Sequence, residues 1–557
     1  RTSPVADVVN RRKFLAGSIG IAAVLGVRGP VALMPAAPAV VVADSMFLHG
    51  IASGDPLPAA VVLWTRVTPT PTSRPGSGRG PSVMVTWEVA LEASFDRIVR
   101  RGAVRTDAKR DHTVKVDATG LRPGTDYHYR FSCDGHRSAT GRTRTAPAPT
   151  SSPARLRFGV VSCANWQAGY FSPYRHLAER GDLDAVIHVG DYIYEYQPGT
   201  YSFGHREVDI RRHDPPRETV TLSDYRRRHA QYKTDPDLQG LHAAVPFIVT
   251  WDDHEVADGN WARGAYEHQP ASEGSFATRR SAAYRAYDEW MPVRISGTAV
   301  TGDGERIYRH LRFGRLADLS MLDLRTYRSK RVEADDPAID DSSRTITGND
   351  QMSWLIGNLS GSESRWKLIG NPVMIAPVMV PPRPAVEEYA LSQTVGLTPL
   401  EASAPNTDVW DGFSADRRRL LDHIVDHDIG DVVFLTGDVH TAWANDVPAS
   451  DGGPPVATEF VCASITSNNV DDFIGVPPRT VSLALEAVIQ EENPHVRFVN
   501  LDDHGYCVLE VTAARVQMDW FAISDRSDRE ATTRTLTSWA VESGVPRVHP
   551  VRALVEA

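Results

Sequence analysis

Cysteine and long apolar runs are scarce in this sequence, and acidic residues outnumber basic ones. Only four cysteines occur among 557 residues, too few for the disulfide frameworks that hold small secreted proteins together. Past the N-terminal segment, no apolar run approaches the roughly 20 residues that cross a bilayer. The formal net charge is −10, which argues against a general nucleic-acid-binding protein. We therefore expect no disulfide scaffold, no nucleic-acid partner and no stable membrane anchor.

The N-terminal residues predict an export signal. Arg11 and Arg12 precede a mildly apolar stretch, residues 16–27, that is too short to span a bilayer comfortably. Paired arginines in this position resemble a twin-arginine signal, and the small residues 41–43 offer a cleavage site. We expect residues 1–43 to be a signal peptide that the twin-arginine translocase reads. The mature protein would then be secreted and extracellular.

Residues 44–148 predict an all-β domain. Strand-like segments at 60–65, 83–89, 112–116 and 126–131 are separated by turn residues. Several short strands over about a hundred residues are typical of an immunoglobulin- or fibronectin-like sandwich. Because no catalytic cluster is evident here, we expect this domain to flank the catalytic part.

A proline-rich linker leads to a region in which strands alternate with helices. This alternation predicts a layered α/β domain over residues 155–557. A helix-like run is expected between residues 528 and 557, and whether it acts as a lid is left open. The buried-strand patterns lie at residues 156–162, 185–189, 245–251, 316–322, 366–370 and 432–437, with helical patterns at 174–180 and 225–232 among them.

Polar side chains follow most of these strands. One such group alone could cap a helix or pack in the core. Gathered at one sheet edge, however, their like charges would be costly unless cations neutralised them. A multinuclear metal site is therefore the simplest explanation. The candidate residues are Cys163, Asp191, Tyr194, Asp252, Asp253, His254, Asn260, Arg325, Asp438 and His440.

Ligand chemistry separates the candidates for a redox metal from the rest. Cys163 and Tyr194 supply a thiolate and a phenolate, which suit iron better than calcium or magnesium. Asp191 is the natural bridge between two cations. His440 can reach one cation while Asp438, two residues earlier, holds its neighbour.

The remaining candidates are hard oxygen donors and cationic groups. Asp252, Asp253 and Asn260 offer the oxygen ligands that calcium prefers. Arg325 is placed to hold a phosphate group bidentately. His254 could orient a ligand or protonate a leaving group. Cys462 and Cys507 lie in apolar runs and are interpreted as buried side chains, with a disulfide between them left open.

The order of these motifs resembles calcineurin-like and purple-acid phosphatases, and more closely the PhoD-like alkaline phosphatase family. The resemblance spans nearly the whole chain, including the export signal and the β-rich N-terminal region. It implies a calcium-dependent phosphoesterase with one ferric iron (Fe3+) and two calcium ions (Ca2+). The segments that carry it are 162–165, 190–195, 251–260, 322–325 and 437–441.

Matched by position, two ligand sets follow from the resemblance. Cys163, Asp191 and Tyr194 match the iron side, and His440 joins them. Asp191 is shared with the second set, which surrounds the adjacent cation and includes Asp253 and Asp438. Asp252 and Asn260 match a calcium or phosphate-contact role. His504 stands where the family is expected to carry a basic residue, and we interpret it as a surface histidine.

These observations lead to one hypothesis and two alternatives. The hypothesis is hydrolysis of phosphomonoesters and/or phosphodiesters by a metal-bound hydroxide, with Asp191, His254, Arg325 and His440 as catalytic residues. The first alternative is an iron- and calcium-dependent phospholipase D that acts at a phospholipid surface. The second is a non-catalytic, secreted calcium-binding protein, which would leave Cys163 and Tyr194 unexplained.

Overall fold

A computed structural model defines residues 45–295, 306–380, 404–450 and 452–556 of the protein. The predicted signal peptide, residues 1–43, lies outside these ranges. Among the residues that are defined, no helix has the length and apolar character needed to cross a membrane.

Most of the regular structure is β-strand. The strands, in chain order, are β1 (Ile51–Leu57), β2 (Ala60–Arg66), β3 (Val83–Ala90), β4 (Ile98–Thr106), β5 (Thr113–Thr119), β6 (Asp126–Cys133), β7 (His136–Arg137), β8 (Gly141–Arg144), β9 (Arg155–Val161), β10 (Ala185–His188), β11 (Phe247–Val249), β12 (Arg309–Phe313), β13 (Ala317–Met321), β14 (Trp366–Asn371), β15 (Met379–Val380), β16 (Ala404–Pro405), β17 (Val432–Thr436), β18 (Ala442–Pro448), β19 (Pro455–Val461), β20 (Val496–Asn500), β21 (Gly505–Thr512), β22 (Arg515–Ile523), β23 (Thr533–Glu542) and β24 (Val548–Pro550).

All the helices of the described residues follow β9 in the chain. They are α1 (Ser172–Arg180), α2 (Leu222–Tyr232), α3 (Pro236–Ala244), α4 (Pro270–Glu273), α5 (Phe276–Trp290), α6 (Asn349–Gly361), α7 (Ser414–Asp426), α8 (Val470–Ile474) and α9 (Val481–Glu492). Short 3-10 turns occupy Ser45–Phe47, Ala108–Arg110, Trp166–Ala168, Pro337–Asp340 and Trp410–Phe413.

Two large mixed sheets form the centre of the fold. The first has ten strands in the order β24-β23-β22-β21-β9-β10-β11-β1-β2-β5, and the second has seven in the order β12-β13-β14-β17-β19-β18-β20. Strands β9, β10, β11 and β1 run parallel in the first sheet. Strands β13, β14, β17 and β19 run parallel in the second. The predicted mixed α/β architecture is therefore confirmed.

The two sheets pack face to face, and helices cover their outer faces. Phe158 and Ile187 of the first sheet share an apolar core with Leu319 and Leu435 of the second. Helices α1, α2, α3 and α5 pack on the outer face of the first sheet. Helices α6, α7 and α9 pack on the outer face of the second. This gives four layers, and it brings the carboxyl ends of the parallel strands of both sheets together.

The separate all-β, immunoglobulin- or fibronectin-like domain that the sequence predicts over residues 44–148 is not confirmed. Strand β1 pairs in parallel with β11, and β2 and β5 continue the same ten-stranded sheet. Strands β3, β4, β6, β7 and β8 form a five-stranded sheet of their own, which packs on β1, β2 and β5 through Leu63, Val85 and Tyr129. Local periodicity identified β2, β3, β5 and β6, but neither β1 nor the edge at which it pairs. The division at residues 44–148 and 155–557 stays a prediction.

The C-terminal segment also differs from expectation. Within residues 528–556 the chain forms β23 and β24, which pair at the edge of the ten-stranded sheet, so the expected helix-like run is wrong. Threonine and aromatic residues in β23 favour a strand, and the exposed edge of β22 offers it a partner. All four cysteines are buried and free, which confirms the interpretation of Cys462 and Cys507 as buried side chains.

Candidate metal centre

The candidate residues lie in loops that follow parallel strands of both sheets. Cys163 follows β9, Asp191 follows β10, and the segment 252–254 follows β11, three neighbouring strands of the first sheet. Arg325 follows β13 and the pair Asp438 and His440 follows β17 in the second sheet. Open α/β sheets collect ligands at the carboxyl ends of their strands, and here two such edges meet.

Four of these residues have an unusual backbone conformation. The φ angles are 60° at Cys163, 54° at Asp191, 65° at Asp438 and 61° at His440, in the left-handed region that residues other than glycine rarely adopt. Strained backbone of this kind clusters at functional sites. Gly190 has a φ of 119°, and a Cβ there would lie 2.6 Å from the Cβ of Asp252, so a glycine lets the two loops approach.

Three groups of side chains are spaced to hold a metal ion. Within each group one ligand atom per residue lies within 4.8 Å of all the others, and every residue is buried. The groups share Asp191 and Asp253, so they form one continuous centre. They are Cys163–Asp191–His440, Asp191–Asp253–His254 and Asp252–Asp253–Asp438.

Tyr194 lies beside the first group. Its hydroxyl donates to Oδ2 of Asp191 at 3.0 Å and lies 3.2 Å from Nε2 of His440. The Nδ1 atom of His440 lies 2.8 Å from the carbonyl oxygen of Asn468, so it must carry the proton of a neutral ring. This tautomer leaves the lone pair of Nε2 directed at Tyr194 and Asp191, as metal-ligating histidines require.

Arg325 lies inside the acidic part of the centre. Its Nε and Nη2 atoms donate to the two carboxylate oxygens of Asp252 at 2.5 and 2.9 Å. The guanidinium also lies 3.6 Å from Asp253, 3.4 Å from Asp408 and 3.4 Å from Asp438. Although burial lowers the pKa of Arg325, these carboxylates raise it well above its usual value. The side chain is thus a permanent cation shared by four acids.

His254 is held by a buried glutamate. Its Nδ1 atom donates to Oε2 of Glu195 at 2.8 Å, and Glu195 also accepts the backbone N–H of Asp258 at 2.8 Å. The ring stacks on Tyr194 with a centroid distance of 4.1 Å, and Nε2 lies 3.9 Å from Oδ1 of Asp253. Burial lowers the pKa of His254, but Glu195 and Asp253 outweigh it and raise the pKa well above the usual value.

A second buried glutamate fastens two loops of the centre together. The carboxylate of Glu255 accepts the backbone N–H groups of Asp191, Tyr192 and Asp252 at 3.2, 2.6 and 2.9 Å. Burial raises the pKa of Glu255 to about 8, although the hydrogen bonds from Asp252 and Tyr192 oppose this rise. Glu255 therefore fixes the spacing between the loops that carry Asp191 and Asp252.

The centre contains buried polar atoms that nothing among the described residues satisfies. Both side-chain atoms of Asn260 and the Oδ1 atom of Asp191 are buried without a hydrogen-bond partner. Burial and neighbouring acids raise the pKa values of Asp191, Cys163 and Tyr194 well above their usual values. A bound cation reverses this effect because it favours the deprotonated ligand. The donor set therefore fits metal ions.

The structure brings most of the predicted residues together. All but Tyr194, Asn260 and Arg325 are members of the three groups. Asn260 lies in the loop after Gly259, whose N–H donates to Oδ2 of Asp253 at 2.8 Å. Arg325, predicted to grip phosphate, is engaged by Asp252 instead in this structure.

Several residues of the centre could not be predicted from the sequence. Glu195 and Glu255 lie inside the motif segments 190–195 and 251–260, but nothing local indicates their partners. Asp408 and Ser467, whose Oγ donates to the hydroxyl of Tyr194 at 2.6 Å, follow no recognised motif. The interpretation of His504 as a surface residue is wrong: its side chain is 12% exposed, and its Nε2 lies 2.9 Å from the carbonyl oxygen of Ser467.

Comparison with known proteins gives consistent matches over the chain. A sequence model described as PhoD-like phosphatase matches residues 158–520, and one described as the N-terminal domain of PhoD-like phosphatase matches residues 34–147. Alkaline phosphatase D of Bacillus subtilis (strain 168) is 36% identical over 527 residues, which cover 92% of this chain and 84% of that protein. A solved structure of PhoD has 34% identity and a TM-score of 0.80, covering 93% of this chain and 94% of the other.

Proposed function

Because the chain belongs to the PhoD-like phosphatase family, we propose that it is a secreted, metal-dependent phosphoesterase of the alkaline phosphatase D type. As a homologue of alkaline phosphatase D, it is a hydrolase of phosphoric esters. The finer assignment concerns the metals, the reacting residues and export. One observation carries the metal assignment: the buried thiol of Cys163 groups with Asp191 and His440, and the buried phenol of Tyr194 contacts the same two residues.

We propose one Fe3+ and two Ca2+ as the cofactors. Cys163, Asp191, Tyr194 and His440 would hold the iron, because thiolate and phenolate are soft or strongly basic anionic donors that calcium does not select. Asp252, Asp253, Asn260 and Asp438, together with Asp191, would hold the calcium ions through oxygen atoms.

Bound cations would activate a water molecule and neutralise the phosphoryl oxygens of the substrate. The protein's own residues would hold the cations in place and supply the proton for the leaving group. Asp191 is shared by two groups and would supply a carboxylate to both of their cations. His254, charged because of Glu195, would present a proton at Nε2 to the departing ester oxygen. His440 keeps its Nε2 lone pair on the iron side through the hydrogen bond at Nδ1.

Arg325 is proposed to act mainly on the carboxylates. Its bidentate pairing with Asp252 fixes that side chain and offsets part of the negative charge of the centre. A direct grip on substrate phosphate, as proposed from the sequence, would require the guanidinium to release Asp252. Export through the twin-arginine translocase rests on Arg11 and Arg12 and on the small residues at 41–43.

Hydrolysis of p-nitrophenyl phosphate and bis(p-nitrophenyl) phosphate tests this proposal, with choline release from phosphatidylcholine vesicles measured alongside. We expect Asp191→Asn to reduce kcat/KM for the preferred ester by at least about a thousandfold while the protein stays folded. The matched control is Asp422→Asn, an exposed carboxylate on α7, which should leave activity unchanged. Full activity of Asp191→Asn would refute the central role of Asp191.

A further inference from the structure

A row of cations runs outward from the metal centre along one segment of chain. Arg325 and Arg328 are buried and both contact Asp408, at 3.4 and 3.0 Å. Lys330 is exposed and Arg331 is half-buried. Neither of these outer cations pairs with a carboxylate among the described residues. The inner pair is therefore engaged by carboxylates of the centre, whereas the outer pair makes no ion pair with the described residues.

Two aromatic rings lie against the outer cations. The Nζ atom of Lys330 is 5.4 Å from the ring centroid of Trp261 and 5.9 Å from that of Tyr266. The guanidinium carbon of Arg331 is 4.5 Å from the ring centroid of Tyr266, and the two rings are 5.5 Å apart. We call Trp261, Tyr266, Lys330 and Arg331 the cation–aromatic rim. Contact with the aromatic rings positions the side chains of Lys330 and Arg331. Because a ring face does not use up every N–H group, donors remain for a ligand.

The rim borders the metal centre directly. A Cβ at Gly259 would overlap the ring of Tyr266, and the N–H of Gly259 donates to Asp253, so only this residue separates the ring from a candidate metal ligand. The N–H of Ala262, next to Trp261, donates to the carbonyl oxygen of Arg328 at 3.1 Å. Hydrogen bonds thus connect the segment that carries Trp261 and Tyr266 to Asp253 and to Arg328, which lies just before Lys330 in the chain.

We propose that the cation–aromatic rim is a substrate subsite for a second phosphate group carried on the same molecule as the ester that reacts. This inference rests on the proposed phosphoesterase function. Arginine and lysine side chains bind phosphate through charge-assisted hydrogen bonds. With the reacting phosphate at the metal ions, the rest of the substrate would extend over the rim. There, Lys330 and Arg331 would strengthen the binding of an anionic group only. The enzyme therefore prefers substrates with two phosphates.

A pair of chromogenic esters isolates this preference. Thymidine 5′-(p-nitrophenyl phosphate) and its 3′-phosphorylated form share the reacting group and the leaving group and differ only in the second phosphate. We expect the metal-loaded, full-length enzyme to show about five- to twentyfold higher kcat/KM for the 3′-phosphorylated ester at low salt. The ratio should shrink as the ionic strength rises, because the cations of the rim face solvent.

The double variant Lys330→Gln/Arg331→Gln tests the assignment to the rim. We expect the ratio to fall to about two or less. The matched control is Arg101→Gln/Arg105→Gln, which removes two exposed charges from β4 and should keep the wild-type ratio. If the double variant does not fold, the exposed Lys330→Gln alone should lower the ratio by a smaller factor.

The outcomes separate this inference from the proposed function. If both esters are hydrolysed but the wild-type enzyme shows no preference, or if the double variant keeps it, the subsite is refuted and the phosphoesterase assignment stands. If neither ester is hydrolysed and p-nitrophenyl phosphate is also inert, the proposed function fails and the subsite fails with it.

Discussion

The hydroxyl of Tyr194 donates a hydrogen bond of 3.0 Å to Oδ2 of Asp191. The two residues lie on one loop after β10, and the Tyr194 hydroxyl also lies 3.2 Å from Nε2 of His440, which follows a strand of the other sheet. Burial and Asp191 raise the pKa of Tyr194 well above its usual value, so the phenol keeps its proton unless a cation takes its place. This contact is where an iron ligand set would form.

A phenolate or thiolate bound to ferric iron gives a charge-transfer band in the visible spectrum. We therefore expect the active protein to be coloured and Tyr194→Phe to shift or abolish the band, with activity falling as well. Tyr192→Phe is the matched control, because Tyr192 is equally buried but its hydroxyl faces His242 at 2.8 Å. An unchanged spectrum in Tyr194→Phe would exclude this tyrosine as a ligand.

Removal of Arg325 should destabilise the metal-free protein more than the metal-loaded one. Arg325→Gln leaves Asp252 and its neighbours without their shared cation, a loss of about 3–5 kcal/mol in the free energy of unfolding. Bound cations would neutralise the same carboxylates and reduce this loss. Thermal unfolding with added metals and with chelator measures both forms, and an equal loss in each would contradict the account.

Glu195 acts through His254 and is therefore a positioning residue. Glu195→Gln keeps an acceptor for Nδ1 but removes the charge that stabilises the imidazolium. We expect kcat to fall about ten- to a hundredfold, with little change in KM or in metal content. Glu179→Gln, on the exposed surface of α1, is the control. An unaltered kcat in Glu195→Gln would remove His254 from the proposed proton transfer.

Lys233 gives a stability prediction that is independent of the metals. Its amine is buried, 2.9 Å from Nε2 of His242 and 5.0 Å from the ring centroid of Trp64. Burial lowers the pKa of Lys233 well below its usual value. The unfolded chain therefore binds more protons than the folded one below about pH 10, and stability falls as the pH falls.

Lys233→Met removes this pH dependence and keeps an apolar side chain of similar length. We expect the variant to be more stable than the wild type near neutral pH, with a gap that narrows as the pH rises. Thermal midpoints between about pH 6 and pH 9, at one scan rate, measure the gap. A gap that stays constant over this range would show that Lys233 is charged in the folded protein.

The strands and their polar ends could be predicted from the sequence because both are local features. Buried runs such as 185–189 become parallel strands, and the carboxyl ends of neighbouring parallel strands meet, so the approach of Cys163 and Asp191 could be predicted. The sequence pattern did not indicate that Asp438 reaches them from a second sheet. The resemblance to a known family supplied roles for the residues that local chemistry could not assign.

What could not be predicted depends on pairing between distant segments. Nothing local to β1 indicates that it joins β11, or that β23 completes the sheet edge. The partners of polar side chains also depend on distant segments. From the sequence, Arg325 was predicted to bind phosphate, whereas the structure pairs it with Asp252. Glu195 likewise gains a role only from the position of His254.

Metal analysis of catalytically active, full-length protein tests the central claim most directly. We predict one iron and two calcium ions per chain, with phosphoesterase activity that disappears on chelation and returns only when both metals are restored. Full activity in protein that contains no iron would contradict the account, because Cys163 and Tyr194 would then have no part in the centre.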